Sequence, residues 1–135
     1  MGEVNKVFFK EYGDERGNLV VVEGEIDIPF TIKRLFYIFN SDSEVVRGQH
    51  ANRKSEFILI NIAGSCKIKV IGSDEEEQIF VLDQPHEGLY LPTMVWKDMY
   101  DFSPDSLLLV LSNEHYEPDE YIRNYTDFIN EVRHE

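Results

Sequence analysis

The sequence predicts an all-β sandwich or barrel that carries a single C-terminal α-helix. Short runs rich in Val, Ile, Phe and Tyr recur along most of the chain, each bounded by Gly, Pro, Asn, Asp or Ser. The apolar spacing changes to three and four residues only after Pro118, where it becomes helical. At 135 residues, 42% hydrophobic and 13% aromatic, the chain is long enough for one sizeable core and too short for two, so one domain is expected over 1–135.

Eight strands are expected, at 19–23, 33–39, 57–62, 65–71, 77–82, 87–91, 96–102 and 107–111, within a barrel of about 5–112. Asp14-Glu15-Arg16-Gly17-Asn18 separates the first strands, and Ala63-Gly64 joins two apolar runs tightly. Gly72-Ser73-Asp74 opens a hairpin whose acidic run, Asp74 to Glu77, reads as a solvated tip. Tyr121, Ile122, Tyr125, Phe128, Ile129 and Val132 then share one helical face, which predicts a helix over about 118–133 with Pro118 in its first turn. It is expected to pack on the barrel or on a second subunit.

The net charge of −13 has no basic run to offset it, which argues against a nucleic-acid partner. Cys66, the one cysteine, has no partner for a disulfide and lies in an alternating apolar stretch, so a packed thiol is expected. The first residues lack a basic segment followed by an apolar run, and no stretch reaches the roughly 20 apolar residues that span a bilayer. A cytoplasmic protein without a membrane partner is the expectation.

Chemistry concentrates in Arg47-Gly48-Gln49-His50-Ala51-Asn52-Arg53-Lys54-Ser55-Glu56. On a strand His50 and Asn52 point to the same face and can look into one cavity. The spacing resembles the first cupin motif, with His50, Asn52, Glu56 and Gly64 at its successive positions. Pro92-Thr93-Met94-Val95-Trp96-Lys97 resembles the second, with Met94 at its glycine and Lys97 at its histidine. The resemblance implies a cupin-type double-stranded β-helix, a jelly-roll barrel. An amide and an ammonium stand at two of the four usual ligand positions, so no metal or other cofactor is expected.

Four further segments narrow the resemblance: residues 27–38, Arg47-Gly48 with His50, Gly88-Leu89-Tyr90 with Val95-Trp96, and residues 119–125. Together they resemble the nucleotide-sugar 3,4-ketoisomerases that supply 3-amino-3,6-dideoxyhexoses. The resemblance implies a homodimer that converts dTDP-4-keto-6-deoxyglucose to its 3-keto isomer through an enediolate. It assigns His50 the acid/base role, with Asn52, Tyr37 and Lys97 around the enediolate; a Lys97 of lowered pKa is an alternative base. Arg47, Arg53 and Lys54 suit the diphosphate, and Arg16 a pyrophosphate contact. Tyr90 is expected at the substrate, and Trp96 offers a flat face to a sugar or thymine, although Tyr37 and Trp96 also fit core positions. Glu56 is open to a buried ion pair with Arg47 or Lys97. His86, His115 and His134 read as loop residues. Two competing readings are a catalytically silent nucleotide-sugar-binding cupin, accessory to glycan assembly, and an epimerase of the related deoxysugar class.

Overall fold

The structure is a computed structural model that describes residues 3–134. Two five-stranded antiparallel sheets face each other. One has the order β1 (Asn5–Phe8), β9 (Glu87–Leu91), β6 (Phe57–Ala63), β11 (Leu107–Ser112), β4 (Arg34–Phe39). The other has the order β12 (Tyr121–Ile122), β5 (Arg47–Asn52), β10 (Trp96–Tyr100), β7 (Cys66–Ile71), β8 (Glu77–Leu82). The hairpin of β2 (Glu11–Asp14) and β3 (Gly17–Val20) forms a sheet of its own. The crossovers between the two faces make this the cupin jelly roll, with one C-terminal helix, α1 (Tyr125–Arg133).

Strand periodicity explains where the core sits. In β7 the buried residues Cys66, Ile68 and Val70 alternate with the half-exposed Lys67, Lys69 and Ile71. Cys66, Ile68 and Val70 meet Phe57, Leu59, Leu89, Leu91, Leu108 and Val110 of the opposite sheet. β6 shows no alternation because both of its faces are covered. Phe57 and Leu59 enter the central core, while Ile58 and Ile60 lie outside it against Phe9, Ile28 and Phe30 of the N-terminal arm. A third cluster, Ala51, Met94, Trp96, Ile122 and Phe128, seats α1 on the outer face of the second sheet.

Several expectations are corrected here. The segment expected at 19–23 is Gly17–Val20, and its partner Glu11–Asp14 lacks an apolar face that would have announced it. β1 and β12 were also unforeseen, and β5 was not among the eight expected strands, although His50 and Asn52 were read as strand neighbours. The helix begins at Tyr125 rather than at Pro118. Pro118–Glu120 is a 3₁₀ turn, and Tyr121 and Ile122 pair with Asn52 and Ala51 along the open edge of β5. Asn124 caps α1 by accepting from the Asp127 N–H at 3.0 Å. Ile122 and Phe128 share one apolar cluster, which is why strand and helix together mimic one helical stripe. The acidic tip is partly engaged as well, since Glu75 accepts from Arg133 at 2.7 Å. No helix among the described residues is long and apolar enough to cross a membrane.

Candidate active site

One end of the barrel holds a cavity of about 240 Å³, with Tyr37, Arg47, His50, Lys97 and Tyr121 as its polar lining and Phe36, Leu59 and Met99 among its apolar walls. Strand pairing assembles it. Lys97 on β10 lies opposite His50 on β5, and the register shifts just after Lys97. Gly48 takes φ of +84° at this irregularity, and a Cβ there would meet the Lys97 carbonyl oxygen at 2.9 Å. The Gly48 carbonyl is thereby aimed at the imidazole two residues on, 3.0 Å from His50 Nδ1. A carbonyl only accepts, so Nδ1 carries the proton and Nε2 keeps its lone pair. The ring stands edge-on to Tyr121, 4.8 Å between centroids. Burial first, then the charges of Lys97 and Arg123, push the His50 pKa down to about 4, against the opposing effect of the Gly48 bond. His50 is a neutral base at physiological pH.

Lys97 lies beside it, 4% exposed, with Nζ 4.7 Å from the Phe57 ring centroid. Burial lowers its pKa to about 7; the Glu120 charge raises it and Arg34 lowers it further. Nζ donates to Asn52 Oδ1 at 3.0 Å, and Asn52 Nδ2 donates to Glu120 Oε2 at 3.0 Å. Glu120 also accepts the backbone N–H groups of Lys54 at 2.8 Å and Ser55 at 2.9 Å, together with the Ser55 hydroxyl. Burial pushes its carboxyl upward, but these bonds outweigh that and hold it below the ordinary range. An ionised Glu120 accepts only, which turns the Asn52 amide so that its oxygen faces Lys97.

Thus the expected residues Tyr37, Arg47, His50 and Lys97 line one cavity, and Asn52 lies directly behind Lys97. The remaining expected binding residues lie elsewhere in the chain. Arg16 is at the exposed tip of the β2–β3 hairpin, 2.6 Å from Asp14. Arg53 is paired with Glu131 and Lys54 with Glu117, both on the surface. Trp96 is a correction: strand alternation sends Lys97 and Met99 inward and Trp96 outward, beneath α1, 5.3 Å from Tyr125. Tyr90 is corrected for the same reason. It leaves β9 on the face opposite Leu89 and Leu91, under the N-terminal arm, and donates its hydroxyl to Glu56. Glu56 therefore pairs with neither Arg47 nor Lys97; its second oxygen accepts from Asn113 at 3.0 Å.

Glu120, Tyr121 and Arg34 were missed as site residues. Glu120 stands beside Asp119 in a mostly polar segment, so nothing local singled it out, yet it is 3% exposed. The Arg34 guanidinium donates to the Tyr121 hydroxyl at 3.3 Å, lies over Phe36, Phe57 and Tyr116, and has a buried Nε without a partner. Met94, at the glycine position of the second cupin motif, takes φ of +59°, a left-handed conformation that suits glycine. Its side chain packs with Trp96 and Phe128 instead.

A cupin metal would need the four motif positions as ligands. They offer one imidazole, an amide, a carboxylate already bonded to Tyr90 and Asn113, and a lysine. That donor set does not fit a metal ion, and among the described residues no three His, Cys, Asp or Glu side chains are grouped to hold one.

A protein of Aneurinibacillus thermoaerophilus named TDP-4-oxo-6-deoxy-alpha-D-glucose-3,4-oxoisomerase is 42% identical over 125 residues, covering 92% of this chain and 89% of that one. The crystal structure of a histidine-to-asparagine mutant of the 3,4-ketoisomerase QdtA from Thermoanaerobacterium thermosaccharolyticum, in complex with TDP-4-keto-6-deoxyglucose, superposes with a TM-score of 0.93. It is 42% identical, over 97% of this chain and 94% of that one. WlaRA, a TDP-fucose-3,4-ketoisomerase from Campylobacter jejuni, superposes with a TM-score of 0.90 at 38% identity, over 97% of this chain and 96% of that one. The family model described as FdtA: WxcM-like, C-terminal matches residues 3–133, and with relatives this similar over nearly the whole length the chain belongs to that family.

Proposed function

We propose that the protein is a TDP-sugar 3,4-ketoisomerase that converts TDP-4-keto-6-deoxyglucose to its 3-keto isomer, with His50 as acid/base. The activity is that of the relatives at 42% identity, one of them crystallised with this sugar nucleotide. The acid/base role rests on one observation in this chain: a neutral imidazole in the cavity whose Nδ1 is tied to the Gly48 carbonyl, leaving Nε2 free. Nε2 takes the C3 proton and the electrons pass to O4; the imidazolium then returns a proton to C4 as the hydroxyl proton moves from O3 to O4, which leaves the carbonyl at C3. Tyr37 and Arg47 supply donors to the sugar hydroxyls and the diphosphate from the same cavity. The lone, buried Cys66 thiol, with its pKa raised by burial to about 12, suits a cytoplasmic site of action.

A homodimer is part of this reading. The β2–β3 hairpin pairs with no other described strand of its own chain, and Tyr12 and Leu19 leave it exposed. A second subunit gives the hairpin a sheet edge to join, which would also bring Arg16 to a neighbouring site.

Incubation with TDP-4-keto-6-deoxyglucose in deuterated water, followed by NMR at C3 and C4, tests the activity. A 3-keto product labelled at C4 is expected. Nucleotide binding with neither product nor deuterium uptake would instead support a silent binding module.

A further inference from the structure

Ketoisomerisation moves two protons. One leaves C3 and arrives at C4; the other leaves the hydroxyl oxygen O3 and arrives at O4. An imidazole that has just taken the carbon proton through Nε2, with Nδ1–H already given to Gly48, has no lone pair left for a hydroxyl proton. A second carrier is needed within reach of both oxygens.

Lys97 is placed for it. It lines the same cavity as His50, opposite it in the β5/β10 register. Nζ has three donors, and Asn52 occupies one of them at 3.0 Å. We propose that Lys97 carries the hydroxyl proton between O4 and O3, and that Glu120 is a positioning residue that holds Lys97 to this task through the Asn52 amide. The inference rests on the ketoisomerase reading.

The steps balance. As His50 takes the C3 proton, the Lys97 ammonium donates to O4, which forms the neutral enediol. The free amine then takes the proton from O3 as the imidazolium delivers its proton to C4, and the C3 carbonyl forms. Both side chains end in their starting states, and no outside acid or base is consumed. A pKa lowered to about 7 suits a group that must give and regain a proton near neutrality.

The amide between Lys97 and Glu120 has its own consequence. A carboxylate bonded directly to a buried ammonium would lock the proton in place. Asn52 neither gives nor takes a proton, so Glu120 supports the charge from one residue away while the amide oxygen anchors Nζ. The other groups with polar or charged heads around the cavity are His50 and Arg47 from β5, Tyr37 and Arg34 from β4, Tyr121 from β12 and Arg123, which lies over the Tyr121 ring. β6 and β7 present Phe57 and Val70, which do not titrate.

The test uses the full-length protein and TDP-4-keto-6-deoxyglucose in deuterated water across pH 5–9. Lys97→Met is expected to lower isomer formation by about 10²–10⁴-fold. Exchange at C3 should fall less, so the ratio of exchange to isomerisation rises. Lys97→Arg keeps a charge but does not release a proton, and is expected to lose isomerisation in the same way. Glu120→Gln should move the alkaline limb of kcat/KM to lower pH, because its negative charge no longer favours the ammonium, with KM little changed. Isomerisation by Lys97→Arg within about tenfold of wild type would overturn the proton-carrier role. An unmoved alkaline limb in Glu120→Gln would overturn the positioning role. Should Lys97→Met fail to fold, the arginine variant and the Glu120→Gln profile decide the matter. A wild-type protein that forms no isomer ends the ketoisomerase reading itself, whereas an active wild type with an unimpaired Lys97→Arg ends only this inference.

Discussion

His50 differs from a solvent-exposed histidine in two ways: its tautomer is set by the Gly48 carbonyl, and its imidazolium is disfavoured by burial and by Lys97. Removing the ring while keeping a hydrogen-bonding head, as in His50→Asn, is expected to lower kcat by at least about 10²-fold and leave TDP affinity close to wild type. Titration calorimetry against turnover separates the two effects. With His50 at about 4 and Lys97 at about 7, kcat/KM should rise through the first value and fall above the second. The same shift has a stability counterpart. Because the folded pKa of His50 lies below the ordinary 6.5, the unfolded chain binds more protons between pH 4 and 6.5, and stability falls as pH falls through that window. Glu120, held below its ordinary range, loses its contribution on further acidification. Denaturant melts of His50→Asn should therefore show a flatter acid slope, recovering on the order of 2 kcal/mol at pH 4 relative to neutrality.

At the scale of elements, one turn and one bulge hold the strands in register. Gly64, at φ of +67°, closes β6 onto β7 against Ser103, Asp105 and the Ser106 N–H. Gly48, within β5, lets that strand bulge against β10, and its carbonyl orients the His50 ring. Gly48→Ala and Gly64→Ala are each expected to lower stability by about 1–3 kcal/mol, measured by thermal or urea unfolding. Only Gly48→Ala should also reduce kcat per folded molecule. Helix α1 matters to the site through β12, whose Tyr121 covers His50 while Ile122 packs beside the fully buried Phe128. Phe128→Ala should cost about 3–5 kcal/mol by opening this seam, and differential hydrogen exchange should place the loosening in 118–133.

At the scale of the whole molecule, the two-stranded hairpin is the element that its own chain leaves unfinished. Leu19 is 60% exposed and Tyr12 is 48% exposed on a ribbon too small to stand alone in water. The dimer is expected to run at twice the monomer mass in analytical ultracentrifugation, and Leu19→Glu to shift it toward monomer. A wild-type chain that sediments as monomer at micromolar concentration would contradict the assembly.

The all-β class, seven strands of the two main sheets and the His50 neighbourhood were legible in the sequence because each depends on local pattern: alternation in 66–70, turn residues at Gly64 and Gly72, motif spacing from His50 to Glu56. Side-chain direction at Trp96 and Tyr90 was not legible. A strand fully covered on both faces loses its alternation, and only the opposite layer shows which face meets the cavity and which meets α1 or the N-terminal arm. The helical stripe from Tyr121 onward was misread because two elements contribute to one apolar cluster. Glu120 came from 68 residues beyond Asn52, across a strand pairing with no local signature. Residue types and their spacing thus determined the fold class and pointed to His50 and Lys97. Tertiary structure alone decided which buried carboxylate supports Lys97 and which way Trp96 and Tyr90 face, because both depend on contacts between segments distant in the chain.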